Sequence, residues 1–168
     1  MHTLEPYLGR KWGFDYAYIL HGVGSAGAGI TVMGSTDVAI DRCNVNNVAN
    51  GVTVMGACEG RVAPGCAIIQ SANVTLTRSD VGYTGKQATD FGGGNRTTLT
   101  PSGMRVENNK LHDFGIWERN YNPGVQCNGV GVVVRKNEIH RGYHMGLGWS
   151  GNDHLIELNE FHHLTNAA

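Results

Sequence analysis

Residues 134–164, "VRKNEIHRGYHMGLGWSGNDHLIELNEFHHL", state one pattern twice. Asn137-Glu138-Ile139-His140 returns as Asn159-Glu160-Phe161-His162, a step of 22 residues. The same step separates "GITVMG" at Gly29 from "GVTVMG" at Gly51. A period shared by two halves of a chain is the mark of a repeat architecture. Taking the apolar residue before each His as an anchor aligns Val45, Val81, Leu111, Ile139 and Phe161. Five residues earlier stand Ile40, Leu76, Val106, Val134 and Ile156, and seven earlier Val38, Val74, Met104, Val132 and His154. Apolar positions two apart indicate short strands with one buried face. A unit this short cannot hold the helix pairs of longer repeats, and the leucine-rich pattern is absent. The chain therefore reads as all-β, a right-handed parallel β-helix (a solenoid) of about five to six turns stacked about 4.8 Å apart.

Two residues before the anchor stand Cys43, Ser79, Asn109, Asn137 and Asn159. Stacked asparagines predict a corner ladder whose amides bond to one another and to turn backbone. Wider anchor spacings locate insertions at about residues 57–70, within "GKQATDFGGGNRTTLTP" (85–101) and within "GIWERN" (115–120). In this alignment the last two both follow the anchor strand. They are expected to emerge on the same side of the coil and to wall a groove, since insertions in solenoids decorate the binding face. Residues 1–28 read as an N-terminal segment that caps the coil, and 29–168 as the β-helix domain.

The composition excludes several classes. With 25 glycines in 168 residues, turns outweigh long helices. A formal net charge of −1 without a Lys/Arg block speaks against a nucleic-acid partner. No apolar run is long enough for a membrane span, and the N-terminus lacks the pattern of a signal peptide. Cys43, Cys58, Cys66 and Cys127 follow no zinc or redox spacing. Cys58 and Cys66 flank "EGRVAPG" and can close a small loop, or all four can be buried thiols, so their disulfide state stays open. Asn73 and Asn95 head sequons that matter only in a eukaryotic secreted chain.

The stretch from "GGGNRTTLTP" at Gly92 through "NNKLHDFG", "NGVG" and "GNDHLIELNEFHH" resembles right-handed parallel β-helix proteins of the pectate-lyase-like superfamily. It is most similar to large secreted bacterial members of the glycoside hydrolase and polysaccharide lyase type. The resemblance implies a carbohydrate-active protein, a polysaccharide or oligosaccharide partner and an extracellular or periplasmic location. Such proteins continue beyond "NEFHHL" into turns with an Asp-rich segment, so the chain is expected to be a fragment or shortened relative. The paired Asp and Gly-His-Gly of polygalacturonases and the calcium-holding Asp cluster of pectate lyases are absent.

His112, His140 and His162 each follow an inward anchor and are expected to point outward as a column, with Asp113 and His163 beside it. They are the candidate catalytic residues, with Asp113, as a general base or sugar-binding row on an open groove. Alternatives are a solvated imidazole ladder, or a cation shared by rings about 5 Å apart. No metal and no cofactor are expected. Trp117, Arg119 and Tyr121 supply a flat ring and donors for sugar hydroxyls, next to Glu118. The same loop can instead pack its aromatics onto the coil. Arg96, His144 and Trp149 complete the substrate-binding candidates. His154 interrupts an apolar column and is expected to be a hydrogen-bonded corner residue. Asp153 reads as a turn residue. Glu107 and Glu157, two turns apart with Arg135 between, read as a salt ladder rather than the carboxylate pair of a glycosidase. A second function class is a non-catalytic solenoid serving as scaffold, adhesin or subunit. In either class the last turn near Phe161 is expected to self-associate or to meet a partner chain.

Overall fold

A computed structural model describes residues 28–55 and 71–164. Among them the chain forms fifteen short strands and no helix. The strands repeat in threes. The first turn holds β1 (Ala28–Met33), β2 (Ala39–Asp41) and β3 (Asn44–Val48). The second holds β4 (Asn50–Met55), β5 (Thr75–Thr77) and β6 (Asp80–Thr84), and the third β7 (Thr89–Gly93), β8 (Arg105–Glu107) and β9 (Lys110–His112). The fourth holds β10 (Val125–Val130), β11 (Val133–Arg135) and β12 (Glu138–His140), and the fifth β13 (Leu147–Asn152), β14 (Leu155–Glu157) and β15 (Glu160–His162). Like strands stack into three parallel sheets of five: a first sheet β1-β4-β7-β10-β13, a second β2-β5-β8-β11-β14, and a third β3-β6-β9-β12-β15. This is a right-handed parallel β-helix of about five turns. No helix is long and apolar enough to cross a membrane among the described residues.

The aligned apolar positions are the core. Ile40, Leu76, Val106, Val134 and Ile156 are register partners along the second sheet. Val45, Val81, Leu111, Ile139 and Phe161 are partners along the third. The first sheet adds a column through Val54, Phe91, Cys127 and Trp149. Burying each such side chain contributes roughly 1.5–3 kcal/mol, and most of these are fully buried. On the last described turn Leu155, Ile156 and Phe161 are partly exposed, because no described turn stacks above them.

The bends follow a rule as regular as the strands. Arg42, Arg78, Asn108, Lys136 and Leu158, at the ends of the second-sheet strands, all have φ between 49° and 56°. Each non-glycine residue in this region costs roughly 1–2 kcal/mol, so the corners need compensation. The Asn ladder supplies it. Asn109 Nδ2 donates to Leu76 O at 2.9 Å and to Asn137 Oδ1 at 3.0 Å. Asn137 repeats the pattern with Val106 O at 2.8 Å and Asn159 Oδ1 at 2.9 Å. Each amide oxygen also accepts a backbone N–H of the turn below, as in Asn137 N to Asn159 Oδ1 at 3.0 Å.

The insertions fall at different corners, contrary to the expectation of one common side. Residues 94–104 connect β7 to β8 and leave the C-terminal end of a first-sheet strand, with an antiparallel bridge between Asn95 and Thr100. Residues 113–124 connect β9 to β10 and enter the N-terminal end of one. β7 lies inside the span 85–101, where the spacing of the third-sheet anchors gives no sign of it. The two loops therefore stand at opposite rims of the first sheet. The insertion at 57–70, Cys58, Cys66 and residues 1–27 lie outside the described residues.

Candidate functional site

The three column histidines do stack. His112 and His140 have ring centroids 5.5 Å apart at 19°, and His140 and His162 are 4.7 Å apart at 8°. Strand register causes this, since Gly82, His112, His140 and His162 are successive partners on the outward face of the third sheet. The column is not the open row expected of it: His112 is 6% and His140 2% exposed. Gly82 leaves room for the His112 ring, where a Cβ would fall 2.3 Å from Cε1. His112 Nε2 meets Asp80 Oδ1 at 2.9 Å and Nδ1 meets Asp113 Oδ2 at 2.6 Å. Arg141 clamps Asp113 through both carboxylate oxygens, Nε to Oδ1 at 2.9 Å and NH2 to Oδ2 at 2.7 Å. That hydrogen bonding, with His112 adding to it, holds the Asp113 carboxyl below the ordinary range despite partial burial. Burial, then the nearby Arg141 charge, pushes His140 toward its neutral form. A solvent cleft of about 340 Å³ runs beside this network, lined by Tyr83, Asp113, Ile116, Arg141, Gly142 and Tyr143.

The loop 113–124 is held against the coil rather than standing free. Trp117, 42% exposed, lies over Gly85, where a Cβ would fall 2.2 Å from the ring. Glu118 pairs with buried Lys86 at 2.7 Å. The Arg119 guanidinium sits 4.7 Å above the Tyr143 ring, and Tyr121 meets His144 edge-on at 5.4 Å. The aromatics thus pack onto neighbours and still present one face to solvent.

Between the two rims lies a polar surface that the sequence reading missed. Along the outward face of the first sheet Thr31, Thr53, Asp90, Gln126 and Gly148 are register partners, flanked by Gly92, Asn128 and Ser150. Asn128 Nδ2 donates to Asp90 Oδ1 at 3.2 Å and Gln87 Nε2 to Asp90 Oδ2 at 3.4 Å. Asn128 Oδ1 accepts from Gln126 Nε2 at 3.0 Å and Ser150 Oγ at 2.9 Å. Among the described residues Asp90 has no cationic partner. Burial pushes its carboxyl up to about 6, against the smaller pull of the Asn128 and Gln87 bonds. A carboxyl balanced near neutrality exchanges protons readily and is a marker of functional surfaces. Its only sequence signal was an acid in a glycine-rich strand, "TDFGG".

The remaining candidates separate. Arg96 sits on the 94–104 loop, across the first sheet from Trp117. Trp149 pairs with buried Cys127 and belongs to the core column rather than to a groove; its 66% exposure reflects its place on the last described turn. His154 is the satisfied corner residue expected. Val132 N–H donates to its Nδ1 at 3.2 Å, so the proton is on Nε2, which reaches Ser150 O at 3.1 Å. Glu107 pairs with Arg105 and Arg135, giving the lower half of the salt ladder. Cys127 is a buried free thiol pushed up to about 12 by burial first, and is unreactive. No family model, curated protein or solved structure matches this chain.

Proposed function

We propose that the protein binds a polysaccharide along the outward face of the first sheet. The observation that carries this is the row Asp90, Gln126, Asn128 and Ser150, bounded at one rim by Trp117 and Glu118 and at the other by the loop of Arg96. Amides, a hydroxyl and a carboxyl in a line offer alternating donors and acceptors to sugar hydroxyls, and an exposed indole offers a plane for the apolar face of a pyranose. The motifs shared with pectate-lyase-like proteins support the same class of ligand and a secreted setting. Asp90 is the natural proton donor, with its carboxyl near half protonation at mildly acid pH. Hydrolysis by two carboxylates requires a second one about 5–10 Å away. Among the described outward residues of the first sheet Asp90 has no such companion. The reading is accordingly one of binding.

An array of neutral and acidic polysaccharides, followed by affinity electrophoresis, tests it. Trp117→Ala should weaken binding about tenfold, the loss of one stacking platform, and Asp90→Asn should weaken it at pH 7. Tyr83→Ala, in the cleft beside the His column, should leave affinity unchanged. Loss with Tyr83→Ala but not with Asp90→Asn would move the site to the cleft, and no binding to any polysaccharide would end the reading.

A further inference from the structure

The outward face of the third sheet holds a group that saccharide binding does not use. On β12, Glu138 and His140 are two residues apart and point the same way, and His162 on β15 is the register partner of His140. Glu138 Oε1 lies 3.5 Å from His140 Nε2 and 3.2 Å from His162 Nε2. All three ligand atoms fall within 4.8 Å of one another. In a tetrahedral site with bonds of about 2.0–2.1 Å, neighbouring ligand atoms stand about 3.3 Å apart. Two of the three separations therefore already have that value. The third closes by a small movement of His162, whose side chain is 31% exposed.

A second observation points to a ligand independently. His140 is 2% exposed, and neither of its ring nitrogens has a hydrogen-bond partner. An unsatisfied buried polar atom costs about 1–3 kcal/mol and calls for an explanation. The register explains how it arises. His112 Nε2 meets Asp80 of the preceding turn, and His162 Nε2 meets Glu138 of the preceding turn. For His140 the equivalent residue is Lys110, which has no acceptor to offer. Glu138 and Glu160 are also direct register partners on one face, and like charges so placed repel. A cation beside Glu138 removes that repulsion and gives His140 Nε2 a partner.

We propose that Glu138, His140 and His162 form a binding site for one divalent transition-metal ion of the zinc type. Two imidazole nitrogens and one carboxylate oxygen suit zinc and its neighbours rather than calcium or magnesium, which take oxygen ligands. The buried His140 is the fixed ligand, held between the His112 and His162 rings. His162 Nδ1 bonds to His163 Nδ1 at 2.6 Å. With the proton of His162 on Nδ1, that bond aims the Nε2 lone pair at the site, as outer hydrogen bonds orient metal-binding histidines. Three protein ligands leave a fourth position open to water on the exposed side of Glu138. The ion would also clamp β12 to β15.

The test is equilibrium dialysis of the full chain against Zn2+ with metal analysis, alongside thermal melts with Zn2+ and with EDTA. Wild type should retain about one Zn2+ per chain and melt higher with Zn2+ than with EDTA. His140→Gln removes the central ligand. Because that residue is buried, the double variant Glu138→Gln/His162→Gln, at the exposed ligands, carries the decision. It should melt in EDTA close to wild type, retain no Zn2+ and show no Zn2+-dependent shift, whereas His144→Gln should keep both. Failure of wild type to retain Zn2+, or retention by the double variant equal to wild type, would overturn the proposal.

Discussion

The outward faces of the third and first sheets are built on the same backbone and differ in kind. On the third sheet the outward residues repeat: Gly82, His112, His140 and His162 share one register, and the acids Asp80 and Glu138 each serve a His of the following turn. On the first sheet the outward row opens on Thr31 and Thr53 and then changes type at every turn, through Asp90, Gln126 and Gly148. Repetition yields stacks, in which each residue finds its own kind about 4.8 Å away. Variation yields a surface with one distinct chemistry at each point, which recognition of an extended ligand needs. The burial of His112 and His140 and the half-buried carboxyl of Asp90, without a cationic partner among the described residues, express that difference.

The sharpest way to break the comparison is to exchange inside for outside. Ile139→Lys puts a charge into the third-sheet core column, where Ile139 is fully buried. It should cost more than about 4 kcal/mol and abolish the cooperative melt followed by circular dichroism. Thr53→Lys, outward on the first sheet, should shift stability by less than about 1 kcal/mol. Equal melting temperatures for the two variants would refute the register of both faces.

The next effect separates the two faces by pH. The Asp90 carboxyl is raised in the folded chain from 3.8 to about 6. Its contribution is complete below about pH 4 and is lost as pH rises through 6, so wild type should weaken across that window. At about 1.4 kcal/mol per pH unit the loss approaches roughly 3 kcal/mol. Asp90→Asn should lack this decline and be the more stable protein at pH 8 in urea unfolding. Asp113, just past the end of β9, has the opposite sign. Its carboxyl is lowered, chiefly by Arg141, so its contribution is present above about pH 4 and is lost on further acidification. A wild-type profile flat between pH 4 and 7 would remove Asp90 from the candidate site.

The smallest effect sharpens the role of the glycine under the His column. Gly82→Ala forces the His112 ring off its place, with a Cβ 2.3 Å from Cε1, and so strains its bonds to Asp80 and Asp113. A loss of about 1–2 kcal/mol is expected. His112→Ala in the same background should make the added methyl nearly neutral, a coupling that a double-mutant cycle measures.

Much of the fold was legible because a solenoid writes its core into the period. Ile40 through Ile156 and Val45 through Phe161 were aligned by spacing alone, and the structure stacks them as register partners. The Asn ladder and the corner role of His154 were legible for the same reason, since a buried amide or imidazole at a bend has few ways to be satisfied. The candidate surface was less legible. Trp149 looked like a groove residue because it lies in the last complete turn beside the expected groove, yet the parity of β13 sends it to the core column. Arg96 and Trp117 seemed to share a wall because β7 was hidden inside the span 85–101, just ahead of Arg96, and they stand instead on opposite rims of one sheet.

The sequence by itself determined the repeat, the strand columns and the corner residues, because these interactions join equivalent positions a fixed step apart. The tertiary structure alone decided which corner each insertion occupies, that His112 and His140 are buried rather than solvated, and that Asp90 lies on the face between the two rims. Those outcomes depend on which of three sheets a strand joins and on what packs across a corner. Contacts of that kind have no period, so no spacing along the chain encodes them.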